Sequence, residues 1–179
     1  KTVNQNVDSL FFTPDSPLYT GPLSDLMTGV RSPEKYECIL SVLSSGPKQM
    51  GEIVEASGVS PSSACSTYLS TLIDLGLVRK DLPYGDRASR KGVYSITDPS
   101  LLFWFRFVHG NRSFIDYMYS DDLYDMIVGD DDAYLPAVFR EICLQFIIEN
   151  PAYFDMAVTR SGEWWGEKGH IDIIVGDLL

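Results

Sequence analysis

The chain has 179 residues, 45% of them hydrophobic and 12% aromatic, enough for one or two domains with a buried core. Its formal net charge of −11 argues at first against nucleic acid, and no apolar run approaches the roughly 20 residues of a membrane span. Cys38, Cys65 and Cys143 are widely spaced with no C-x-x-C pair. Their odd number and wide spacing fit a reduced, cytoplasmic setting rather than a disulfide scaffold, and with only His109 and His170 to join them a structural zinc site is disfavoured.

Residues 1–32 are punctuated by Pro14, Pro17, Gly21, Pro22 and Gly29 around one apolar cluster, Leu10-Phe11-Phe12. They read as a connector with one short helix around Leu23–Met27. The aromatics need a surface to cover them, either a partner or this chain's own core. Lys1-Thr2-Val3 has neither an initiator Met nor a signal peptide, so an internal start within a longer protein is expected.

Residues 33–98 read as one module. A helix over Pro33–Ser44, opened by Ser32-Pro33-Glu34, carries the stripe Tyr36, Ile39, Leu40 and Leu43. Gly46-Pro47 ends it. A short helix within Gln49–Val59 closes at Gly58. Ser60 is the expected N-cap of the next helix, with Pro61 at its first position. That helix carries Ala64, Tyr68, Leu69, Leu72, Ile73 and Leu75 and stops at Gly76. Strand Leu77–Lys80, a polar loop Asp81–Lys91 and returning strand Val93–Ile96 follow. Helix, turn, helix and basic hairpin is the order of a winged helix-turn-helix. Its expected core is Tyr36, Ile39, Leu40, Leu43, Ile53, Leu69, Leu72 and Ile73.

Residues 99–179 begin at Asp98-Pro99. Leu101–Val108 is a dense aromatic run without β-branched residues before Val108, which favours a buried helix. It is expected to seal the boundary to the region beyond. An acidic stretch (Asp121, Asp122, Asp125, Asp130–Asp132) follows; it lacks the ligand spacing of an EF-hand and reads as a solvated loop. A helix Leu135–Glu149 carries Val138, Phe139, Ile142, Phe146 and Ile147 on its apolar face. Tyr153–Arg160 reads as a strand, Glu163-Trp164-Trp165-Gly166 as a bend, and His170–Val175 as a strong strand.

The charge is uneven. Residues 99–179 hold fourteen acidic against five basic side chains, whereas Arg79–Lys91 holds five basic against two acidic. Phosphate binding follows the local field rather than the whole-chain charge. Arg79, Lys80, Arg87, Arg90 and Lys91 are therefore candidate contacts to double-stranded DNA, joined by Ser62 and Ser63 at the start of the second helix of the motif. That serine-rich helix presents no Arg, Asn or Gln to base edges, which disfavours base-specific reading.

The winged helix, the run Tyr94-Ser95-Ile96-Thr97-Asp98-Pro99-Ser100-Leu101-Leu102-Phe103-Trp104-Phe105-Arg106-Phe107-Val108, then Phe139-Arg140-Glu141, then Trp164-Trp165-Gly166 before Ile171-Asp172-Ile173-Ile174 together resemble the C-terminal half of the archaeal and bacterial DEXX-box ATPase family. The resemblance spans essentially the whole chain. It implies an N-terminal P-loop ATPase module, a winged helix, and a C-terminal domain resembling PD-(D/E)xK nucleases. The implied fold is α+β: residues 1–32 a connector, 33–98 a winged helix-turn-helix, 99–179 a truncated restriction-endonuclease-like α/β domain. ATP belongs to the N-terminal module, since this chain has no G-x-x-x-x-G-K-[ST]. The nuclease pattern also needs an acid-x-Lys strand after Asp172, and the sequence ends at Leu179 without one.

By that resemblance Glu141 and Asp172 correspond to the acids that would hold magnesium. Asp172 sits among Ile171, Ile173, Ile174 and Val175, where a buried carboxylate needs a cation or donors. On a half-exposed strand it simply faces solvent, and Glu141 then pairs with Arg140 or another base. His170 beside Asp172 reads as a ligand, a base or a surface residue, and Trp164-Trp165 as a partner knob or as packing. Two classes of function stay open. One is a DNA-contacting, nuclease-like regulatory region of a P-loop ATPase, not catalytic by itself and working beside the ATPase module. The other is a protein-interaction or assembly module, or a transcription-regulator-like winged helix, with vestigial carboxylates and a capacity to form homo-oligomers.

Overall fold

The computed structural model describes residues 2–14, 16, 18–21, 31–87, 89–117, 123–129, 134–154 and 156–176. The helix expected around Leu23–Met27 and most of the acidic stretch (Asp121, Asp122, Asp130–Asp132) lie outside them. The chain forms two compact units, Lys1–Arg79 with Tyr94–Asp130, and Lys80–Val93 with Asp131–Leu179.

In the first unit, helix α1 (Val3–Phe11) was not anticipated in the connector. Its start is a reciprocal capping box, in which Thr2 Oγ1 accepts the Gln5 N–H and Gln5 Oε1 accepts the Thr2 N–H. Phe11 and Phe12 then stack on Phe103, with ring centroids 4.5 and 6.2 Å apart. The indole N–H of Trp104 donates to the Tyr19 carbonyl at 3.1 Å. The leading segment thus covers its aromatics on this chain's own core. Gly21 lies so close to the Trp104 ring that a Cβ there would sit 2.6 Å from Cζ2.

Helices α2 (Pro33–Leu43), α3 (Met50–Ser57) and α4 (Ser62–Asp74) pack on one another as the helix-turn-helix core. Ser32 starts α2 with a left-handed backbone and no side-chain cap. The turn after α3 is closed by Gly58 at φ +67°. The helix α4 begins one residue later than expected: Pro61, not Ser60, is its N-cap, and no side chain caps it. Tyr36, Ile39, Leu40, Leu43, Ile53, Leu69 and Leu72 are buried as expected, with Cys65 and Val59 beside them. Ile73 is not; it is 38% exposed, because it falls on the outer side of α4 between Leu72 and the closing turn.

Strands β1 (Val78–Asp81) and β2 (Val93–Ile96) form the wing sheet. Lys48 adds an antiparallel bridge to Tyr94 on its other side. Asp98 then caps α5 (Pro99–Phe103), accepting the N–H groups of Ser100 and Leu101. The helix widens into a π-helical turn over Trp104–Val108. Leu101, Phe103, Trp104, Phe105, Phe107 and Val108 are buried, as a helical reading of the run requires. Within the first unit the run packs against α1 and α2. Arg106 Nη1 donates to the Ser44 carbonyl at 2.7 Å and so satisfies the end of α2. Helices α6 (Arg112–Tyr117) and α7 (Leu123–Ile127) complete this unit.

The second unit contains the outer part of the wing, helix α8 (Tyr134–Glu149), and strands β3 (Arg160–Gly166) and β4 (Gly169–Gly176). The two strands are antiparallel, with Trp164 opposite Ile171, Trp165 opposite His170, and an irregularity between Gly162 and Trp164. Two readings of the tail are corrected here. Of the expected strand Tyr153–Arg160, only Arg160 is in a strand, as the first residue of β3; Tyr153 ends a 3₁₀ turn (Pro151–Tyr153), and the other described residues are not in a strand. Glu163–Gly166 is not a bend but the end of β3; the chain reverses at Glu167-Lys168, between two glycines. Helix α8 packs against β4, yet none of its described residues is buried. Phe139, Ile142 and Phe146, expected to face a core, are 66%, 56% and 50% exposed. Together the units make an α+β chain, and among the described residues no helix is long and apolar enough to cross a membrane.

Candidate nucleic-acid interface and carboxylate network

The wing carries its basic residues in two places. Arg79 and Lys80 lie on β1, where both are engaged in further interactions. Arg87, Arg90 and Lys91 lie in the loop, the last two in a short 3₁₀ turn (Ser89–Lys91), and all three are exposed. Lys91 Nζ stands 3.3 Å from Asp86 Oδ2, so the loop closes on itself while its cations stay in water. A pair this exposed contributes little to stability. It leaves the arginines as the main sources of positive field.

Ser62 and Ser63 are exposed in the first turn of α4. Further along, Ser66, Thr67 and Ser70 are exposed too. The hydroxyls of Thr67 and Thr71 bond back to the Ser63 and Thr67 carbonyls at 3.1 and 3.2 Å, which occupies their donors. This surface suits short polar contacts to phosphate oxygens and offers no long side chain for base edges.

The two acids singled out by sequence belong to one chain of charges in the second unit. Glu141 Oε1 accepts from Arg140 Nη2 at 2.8 Å, and Arg140 Nη1 reaches Glu163 Oε2 at 2.5 Å. Glu163 Oε1 lies 2.6 Å from His170 Nε2, and His170 Nδ1 lies 3.3 Å from Asp172 Oδ1. Glu141 and Asp172 are thus joined through Arg140, Glu163 and His170. Glu163, on β3 rather than in a bend, is the hub. A reversal at Glu167-Lys168, between Gly166 and Gly169, puts β3 beside β4, and from the irregularity between Gly162 and Trp164 the Glu163 side chain reaches His170.

This donor set does not suit magnesium. Arg140 already takes Glu141, the Asp172 side chain is 75% exposed beside His170, and among the described residues no group of three or more His, Cys, Asp or Glu side chains is placed to hold a metal ion. What the network can do is tie α8 to the β3–β4 hairpin by charge-assisted bonds.

Two family models match parts of the chain. Residues 104–177 match the family model for archaeal and bacterial proteins of unknown function, DUF234. Residues 38–80 match the model of bacterial regulatory proteins of the arsR family, a helix-turn-helix. An uncharacterized protein of Methanocaldococcus jannaschii is 30% identical over 149 residues, covering 79% of this chain and 32% of that protein. The chain therefore spans about a third of the length of this curated relative. A MarR family regulator from Neisseria meningitidis aligns over 68% of this chain and 79% of its own, at 16% identity and a TM-score of 0.35, too loose a likeness to carry an argument.

Proposed function

We propose that this chain is the DNA-contacting region of a longer P-loop ATPase, and that it grips duplex DNA by the backbone without reading bases. The observation that carries the reading is the exposed loop bearing Arg87, Arg90 and Lys91 on a helix-turn-helix framework. Arg79 and Lys80 reinforce it from β1, and Ser62 and Ser63 add polar contacts from α4. The arginine forks suit phosphate oxygens, and the acidic remainder of the chain limits the affinity to about micromolar or weaker. The ATP-binding module lies outside this chain, and the nuclease-like carboxylates Glu141 and Asp172 serve architecture here. Fluorescence anisotropy with two labelled duplexes of unrelated sequence tests this. Comparable affinities that both fade as salt is raised are expected, and a strong preference for one duplex, or no binding to either at low salt, overturns it.

A second reading has its own observation. Leu135, Phe139, Ile142 and Phe146 recur at four- and three-residue spacing along α8, each at least half exposed, as on a helix that docks against a partner protein. Sedimentation of the chain alone separates the readings. A concentration-dependent dimer abolished by Phe139→Ser would favour assembly as the main role.

A further inference from the structure

Tyr84 stands in the wing loop, at a turn in which the Asp86 N–H donates to the Pro83 carbonyl at 2.8 Å and Gly85 takes φ +80°. This is the geometry in which a glycine at the third position lets the chain reverse. The turn presents Tyr84 to the β3–β4 hairpin, which belongs to the same compact unit. The Tyr84 N–H donates to the Glu163 carbonyl at 2.7 Å. Its ring lies over Gly162, where an added Cβ would come within 3.1 Å of Cδ2. Its hydroxyl reaches Gly176, where a Cβ would sit 2.5 Å from Oη. The Arg160 guanidinium lies 5.4 Å from the ring centroid.

Neither Gly162 nor Gly176 has a positive φ, so the backbone does not require glycine at either position. Glycine inside a strand weakens it, and its usual justification is the close approach of another group. Here the approaching group is Tyr84. The two missing side chains form a slot on the face of the hairpin, and the ring fills it.

We infer that Tyr84 is a positioning residue for the DNA contact, and that the β3–β4 hairpin acts as its receptor. Seated in the slot, Tyr84 fixes the loop that follows, so Arg87, Arg90 and Lys91 are held ready rather than ordered at the cost of binding energy. Glu163 makes the coupling two-sided. Its carbonyl takes the Tyr84 N–H, while its carboxylate takes Arg140 and His170. The carboxylate network therefore holds the strand that holds the wing. The inference rests on the DNA-binding reading for its consequence, but the anchoring itself is independent of DNA.

The test uses the whole chain and two readouts. Trypsin cleaves after Arg87, Arg90 and Lys91, and mass analysis of the earliest fragments reports how fast the wing opens. Gly176→Ala, which fills the slot, and Tyr84→Ala, which empties it, are each expected to speed cleavage there by about fivefold or more, the scale of losing the packing of the ring in its slot. Tyr84→Phe keeps the ring and the backbone donor and is expected to cleave like the parent. Near-ultraviolet circular dichroism shows whether each variant remains folded; if Gly176→Ala does not, Tyr84→Ala and Tyr84→Phe decide the question. The anchoring is overturned if a folded Tyr84→Ala cleaves at the parent rate, or if Tyr84→Phe cleaves as fast as Tyr84→Ala. In anisotropy titrations, Tyr84→Ala is expected to bind duplex more weakly and with a shallower salt slope, and Tyr84→Phe to bind like the parent. Unchanged affinity and slope in Tyr84→Ala overturn the positioning role. A parent that does not bind DNA at all, with cleavage behaving as expected, overturns the DNA reading and leaves the anchor standing.

Discussion

Trp104 shows how one side chain joins the leading segment to the helical core. It is buried, meets Phe105 and His109 with its ring, and bonds the Tyr19 carbonyl through its indole N–H. Trp104→Ala removes a large apolar surface and orphans that carbonyl, so a loss of about 3–5 kcal/mol is expected in denaturant unfolding; a variant as stable as the parent would remove Trp104 from the core. Tyr19 itself donates its hydroxyl to Asp116. Burial first, and the bond to Asp116 second, push its pKa above the usual tyrosine value. The folded chain thus favours the neutral phenol. The stabilisation is fully present below about pH 10, the unfolded value, and is lost as pH rises through the higher folded value. Chemical denaturation across the alkaline range checks this: Tyr19→Phe is expected to lose less stability than the parent above pH 10, and parallel losses would contradict it.

At the scale of elements, legibility followed locality. The helix-turn-helix was readable because Tyr36, Ile39, Leu40 and Leu43 mark one face within a single helix, and because Gly58 and Gly76 punctuate the chain where left-handed backbone is needed. Helix α1 was missed although Thr2 and Gln5 have capping-box spacing, because Pro14, Pro17 and Pro22 mark the segment as a connector. Helix α8 misled because periodicity gives the direction of an apolar face and not what covers it. Its exposed stripe makes a prediction at this scale: Phe139→Ser and Ile142→Ser are each expected to change thermal stability by no more than about 0.5 kcal/mol, as exposed positions do. A loss of several kcal/mol would show a covered face. The carboxylate network was the least legible part. Glu141 and Asp172 stand out in sequence, but the residue that joins them, Glu163, becomes visible only once the hairpin register is known.

Across the whole molecule, positive charge is concentrated in the wing of an otherwise acidic chain, and the second unit combines that loop with α8 and the β3–β4 hairpin. The fold class could be read before the structure because element order and turn chemistry carry it. The grouping of the wing tip with the C-terminal hairpin could not, since it depends on Tyr84 meeting two glycines nearly eighty residues or more away in sequence. The central claim is that the wing cations grip the DNA backbone. Its most direct measurement compares the parent with Arg87→Ala/Arg90→Ala/Lys91→Ala by fluorescence anisotropy on a labelled duplex at low salt, with melting curves to confirm that both are folded. The account predicts clearly weaker binding and a salt slope reduced by up to about 3, roughly one for each phosphate left without its cation, at an unchanged melting temperature. Equal affinity and equal slope in a folded triple variant would contradict it.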